Sequence, residues 1–257
     1  MSIIFARNPS TLAQIKKSKT PNATDSHTPI PHLLLIEKAK AAILNSGLRI
    51  IEEEHALARG GLRYFGGFSV EGDDMKSDER RLVIGLRNSH DKAFAAAICV
   101  GNQMIVCDNL CFSSDEKIAR RHTKNILRDL DRVLSSAIAR VKSHWLSMEH
   151  RIEAYKGLVV SRAQAADLLV SLIDAKAFTA RDLHPTEKEF EPPRHDEFSG
   201  GSLWTLYNAV TESLKQSNLS LLPNRTMTMQ SVFDGLVKFA PQLESETVEV
   251  EASVVMN

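Results

Sequence analysis

The chain has 257 residues, 43% hydrophobic and 25% charged, with Lys+Arg and Asp+Glu balanced at 32 each. That is the composition of an ordinary globular protein, with enough length for one large domain or two small ones. Zero formal net charge excludes a global pull towards nucleic acid or anionic membrane, so any charged surface must come from local segregation. Cys99, Cys107 and Cys111 lie close together without CxxC spacing, and their odd number argues against a disulfide framework. The opening MSIIFARNPSTLAQIKKSK has too short an apolar run for an export signal. No window approaches the ~18 apolar residues of a membrane span. The expectation is a reduced, cytoplasmic protein with no membrane partner.

In chain order, Pro21, Pro29 and Pro31 break any helix before residue 32, and the polar stretch there reads as a loose arm. Helical spacing runs from about His32 to Ala58, or else stops at Asn45-Ser46-Gly47 with Leu48–Ile51 as a short link or strand. Leu62–Val70 reads as a strand in which Gly66-Gly67 marks a bulge or a close backbone approach. Strands then fall at Leu82–Asn88, Phe94–Val100 and Gln103–Leu110, the last two joined by a Gly101-Asn102 hairpin turn. Ser113 or Ser114 caps a helix that runs to about Lys156 on a near-heptad seam from Leu127 to Tyr155. Such a helix is long for a compact domain, so it either spans a large sheet or extends to meet another helix, for instance one of a second subunit. Further helices are expected at Arg162–Lys176, after Ser202, and near Met227–Phe239.

The predicted fold class is α+β: an antiparallel β-meander of about four strands, flanked by an N-terminal helix and a long C-terminal basic helix, then a small helical region. The predicted organisation is an arm over 1–31, a core over 32–178, a linker or long loop over 179–201, a helical part over 202–241 and an acidic tail over 242–257.

Pairing these strands on paper gathers polar residues at one sheet edge: Asn88, His90, Asp91, Lys92, Asp108, Asn109 and His122, with Arg121 beside them. They form either a binding pocket or a turn network that satisfies backbone groups. On the following helix Lys117, Arg121, Lys124, Arg128 and Arg132 share one face, a row suited to tracking a phosphate backbone or simply solvated. His90, Asp91, Cys107, Asp108 and His122 are of metal-ligating type, yet no recognised spacing links them, and no cofactor or metal is expected. Catalytic residues are not assigned, because Walker A, GxGxxG, GxSxG and HExxH patterns are all missing from the sequence.

The wording of the chain resembles a prokaryotic family of phage/plasmid-like proteins, the domain of unknown function nine-three-two. The likeness rests on DSHTPIPH at 25–32, GLRNSHDKAFAAAICVG, VCDNLCFSS, RRHTKNI and LWTLYNAVTE, in that order. It implies a mobile-element setting and contact with nucleic acid, not a chemistry. A meander followed by a basic helix is also similar to the core of single-strand annealing recombinases, a likeness of architecture only. The leading expectation is therefore a non-enzymatic nucleic-acid-binding protein favouring single-stranded DNA, an annealing or recombination accessory factor that forms homo-oligomers through the long helix. The alternatives are a metal- or small-ligand-dependent enzyme using the polar cluster, and a protein-interaction factor such as a host-defence inhibitor.

Overall fold

A computed structural model describes residues 9–105, 110–112, 118–215, 217–218 and 220–237. It is an α+β fold built on one antiparallel sheet. Strands β1 (Arg49–Ala58), β2 (Arg63–Glu71), β3 (Arg80–Ser89) and β4 (Ala96–Met104) form a meander. Two short strands, β5 (Leu110–Phe112) and β6 (Ile118–Arg120), share the far side of β4. The helices are α1 (Leu12–Lys17), α2 (His32–Asn45), α3 (Ile126–Ile138), α4 (Val141–Lys156), α5 (Arg162–Asp174), α6 (Leu183–Phe190), α7 (Leu203–Leu214) and α8 (Leu222–Asp234). No helix among the described residues is long and apolar enough to cross a membrane.

Alternation of the strands gives the sheet two faces, and both are covered. Tyr64, Phe68, Leu82, Ile84, Ile98 and Val100 pack with α2 and α3. Phe65, Val83 and Cys99 belong to the other core, with α4, α5, α7 and α8. Local signals place several elements where expected: Gly47, at φ 82°, follows the end of α2, and Ser202 caps α7 through Thr205. The bulge falls in β1, between Ile50 and Glu52. Gly66 sits in regular register opposite His55 and marks instead the close approach of the Tyr64 ring.

Several expectations are corrected, the first being a helix running on to Ala58: α2 stops at Asn45, and the chain from Arg49 to Ala58 pairs with β2 as strand β1. The Gly101-Asn102 pair is not a hairpin tip, because β4 passes straight through it, with Gly101 opposite Val83 and Phe112. Asn102 is buried and behaves as a strand residue: its Oδ1 accepts from Arg80 at 2.8 Å and its amide lies 3.1 Å from His144 Nε2. Turn propensity lost to these tertiary partners. The single long basic helix is also replaced. Residues 118–120 form β6, 121–125 connect, and the helical stretch is broken at Ala139-Arg140 into α3 and α4. The seam follows burial, not a continuous axis. Its Leu130, Leu134 and Ala137 face α2, whereas Met148, Ile152 and Tyr155 lie in the opposite core. These seam residues are thus buried within the chain, and the motive for a second subunit along this helix disappears. Two further differences are local. The arm carries α1, closed by a Thr11–Gln14 capping box with Ile15 buried. The stretch read as a linker carries α6, whose Thr186 is fully buried and bonded to Ser213 of α7. Pro223 sits in the first turn of α8, where its missing N–H costs nothing.

Candidate functional site

At one end of the sheet β2 begins, β3 ends and β4 begins. Here the β3–β4 loop meets the β6–α3 connection, because β6 pairs with the start of β4, Arg120 opposite Ala96. The chain before α2 lies across both. A tight turn joins Thr24 and His27, and Thr28 N donates to the His122 carbonyl at 3.0 Å. Ile30 is completely buried. Its carbonyl accepts from Asn88 Nδ2 at 2.7 Å and from His90 Nε2 at 2.8 Å, while its N–H reaches His122 Nδ1 at 3.4 Å.

Four histidines gather around this strap. His32 and His90 stack with ring centroids 3.9 Å apart and planes 4° from parallel, and His27 stacks on His122 at 5.0 Å and 5°. The partners fix tautomers. His32 Nε2 donates to the Gly61 carbonyl at 3.0 Å, so Nδ1 is left to accept from Asn88 Nδ2 at 2.9 Å. His122 Nδ1 accepts from Ile30 N–H, which leaves the proton on Nε2. Both geometries require an uncharged ring. Burial, then repulsion from His90, pushes the His32 pKa down to about 4, against a smaller raising effect of the Gly61 carbonyl. Burial, then His27 and His90, takes His122 down to about 4 as well. His27 is lowered by burial, Lys92 and His90.

The other polar residues of the loop divide by role. Asp91 closes the turn: Ser89 Oγ donates to it at 2.5 Å, Arg63 Nε at 2.7 Å and Ala93 N–H at 3.3 Å. Burial works to raise its carboxyl pKa, but those hydrogen bonds outweigh it and hold the group below the usual carboxylate range. Asn88, His90 and Asp91 are therefore scaffold. Lys92, Arg121 and His122 instead line a cavity of about 560 Å³ with Ser26, His27 and Thr123, walled by Phe94 and Ala95. The guanidinium carbons of Arg87 and Arg63 lie 5.1 and 5.8 Å from the Phe94 ring. Of the predicted row, Arg128 and Arg132 share a face of α3, whereas Arg121 and Lys124 lie in the connection before that helix and so share no helix face with them; all four are exposed. Lys117, Cys107, Asp108 and Asn109 lie outside the described residues.

Sequence reasoning missed His27, His32, Phe94 and Thr123. The signal was present in DSHTPIPH, where two histidines flank two prolines, but a proline-broken stretch reads as a loose arm. For metal chemistry the cluster is poorly disposed. An imidazole binds a cation in its own ring plane, and no point lies in the planes of both rings of a parallel stack. Among the described residues no group of three His, Cys, Asp or Glu side chains could hold a metal ion.

A family model matches residues 24–238, a span that takes in the strap, the loop, the β6–α3 connection and the helices beyond. The chain belongs to the family described as Domain of unknown function (DUF932). No curated protein and no solved structure matches it. The family model begins at Thr24, so the histidine-bearing strap is inside the family's boundaries.

Proposed function

We propose that this protein binds single-stranded nucleic acid, without covalent catalysis, through backbone phosphates laid along Arg121, Lys124, Arg128 and Arg132. An annealing or recombination accessory role in a phage or plasmid setting is the cellular task this reading fits. One observation carries it: Arg121, Lys124 and Arg132 are exposed and have no hydrogen bond or ion pair from their side chains among the described residues. Arg128 has only a 3.4 Å contact with its neighbour Asp129. The other carboxylate of that stretch, Asp131, is taken by Lys38 of α2 at 2.7 Å. Arg128 and Arg132 stand one helical turn apart, about 6 Å along the axis. That is close to two nucleotide steps of a stacked strand at roughly 3.4 Å each.

The test is fluorescence anisotropy of a labelled oligodeoxythymidylate titrated at several salt concentrations. Binding should weaken linearly on a log–log plot, with a slope of about −0.7 per phosphate contacted. Replacing Arg121, Lys124 and Arg132 together by Ala should flatten that slope by about 2 units and weaken binding at least tenfold at low salt. Absence of binding at low salt, or a triple variant that titrates like the parent, removes the reading.

A further inference from the structure

The cavity beside the row supports a narrower assignment, which rests on the nucleic-acid reading. Lys92 and Arg121 line it, and neither side chain has a hydrogen bond or ion pair among the described residues. The neighbouring carboxylate, Asp91, is already committed to Arg63, Ser89 and the Ala93 amide, so it does not neutralise Lys92. The two histidines of the lining, His27 and His122, are disfavoured as cations. The formal charge offered to a ligand at neutral pH is therefore two positive charges. Ser26 and Thr123 add hydroxyls that make no side-chain hydrogen bond among the described residues, and Phe94 adds an aromatic wall. The volume falls within the range of small-ligand sites.

Lys92 also has φ 59°, in the left-handed region that a lysine enters only with backbone strain. Glycine or asparagine would hold that turn with less strain. A strained residue whose only free group is an unpaired ammonium facing a cavity points to a role for the ammonium.

We propose that this cavity binds a nucleotide phosphomonoester, the phosphorylated end of a nucleic-acid strand, with the phosphate between Lys92 and Arg121 and the base against Phe94. A phosphomonoester carries about −1.5 to −2 charges at neutral pH and so matches two cations. An internal phosphodiester, with one charge, leaves one cation unmatched.

Competition anisotropy with one oligonucleotide sequence, prepared with a 5′-phosphate, with a 3′-phosphate or with hydroxyl ends, tests this, and a free nucleoside monophosphate is run alongside. One of the phosphorylated strands should bind about tenfold tighter than the hydroxyl-ended strand. Lys92→Gly should abolish that increment while its melting temperature holds or rises, since the strain is relieved. A Lys92→Arg variant, which keeps the charge, should retain part of the increment. Equal binding of all three strands overturns the end site and leaves the row reading intact. A monophosphate that binds in a Lys92-dependent way by isothermal titration calorimetry, with no strand bound at all, keeps the phosphomonoester site and overturns the strand as its source. No binding by any of the four overturns both readings.

Discussion

Acidification from neutral pH to about 4 is expected to strip the strap from the sheet end and to lower the stability of the whole fold. The cause is the set of histidines that the fold accepts only as neutral rings. His32 Nδ1 faces the Asn88 amide and His122 Nδ1 faces the Ile30 N–H, so a proton on either turns an acceptor towards a donor. In the unfolded chain these rings titrate near 6.5, and in the folded chain at about 4. The unfolded state therefore binds more protons throughout that interval. Stability is fully present above 6.5 and declines as pH falls towards about 4. A shift of that size corresponds to about 3 kcal/mol for one fully buried ring. His32 and His122 both repel His90, so their contributions do not simply add.

A third neutral ring acts elsewhere. His144 of α4 accepts from the Asn102 amide at 3.1 Å. Burial, then Arg151 and Arg80, takes its pKa down to about 3. Global and local effects are separated by two measurements. Urea denaturation across the interval reports the sum. Amide exchange at Thr28 and Ile30, which both donate to His122, reports the strap and should rise before the helices open. His32→Asn should flatten the pH dependence whatever it does to stability at neutral pH. A denaturation midpoint that stays constant down to pH 4 would mean that the rings are not held as described.

The second large effect is expected at Gly66. A Cβ there would fall 1.9 Å from the Tyr64 hydroxyl oxygen, 2.7 Å from Cζ and 3.1 Å from His55 Nδ1. The Tyr64 ring has no room to swing away, being fully buried and tilted against His32 at 5.5 Å and His55 at 5.9 Å. Its hydroxyl is also held by His55 Nδ1 at 3.0 Å. Gly66→Ala should therefore cost about 3 kcal/mol, at the upper end of overpacking effects. The loss should be accompanied by loosening of the strap, because Tyr64 supports His32 and stands opposite Asn88 in the sheet. Adding Tyr64→Phe removes the nearest colliding atom but not Cζ, so the double variant should recover part of the loss. A Gly66→Ala protein as stable as the parent would show that Tyr64 does not occupy that position.

Much of the frame was legible in the sequence, for reasons confined to neighbouring residues. Alternation and branched residues mark β2 and β3, Gly47 marks the stop of α2, and Ser202 marks the start of α7. Each depends on contacts within a few positions of the chain. Register and helix continuity do not. Asn102 has turn chemistry, and its pairing with β3 and β5, together with Arg80 and His144 brought to its side chain, keeps it in mid-strand. The seam from Leu127 to Tyr155 has helical spacing throughout, yet it feeds two cores on opposite faces of one sheet.

From the sequence, the meeting of the NSHDK loop with Arg121 and His122 follows from a hairpin and a long helix that do not form. The structure brings these residues together through β6 pairing with β4 instead. The strap shows the division most clearly. DSHTPIPH determines by itself an extended, proline-stiffened segment, because proline excludes helix at the residue before it. Burial of Ile30, tautomers of His32 and His122 and the cavity beneath were decided only when residues 58 and 92 positions further along closed around it. Whether a histidine is charged depends on what excludes water from it, and no local pattern encodes that.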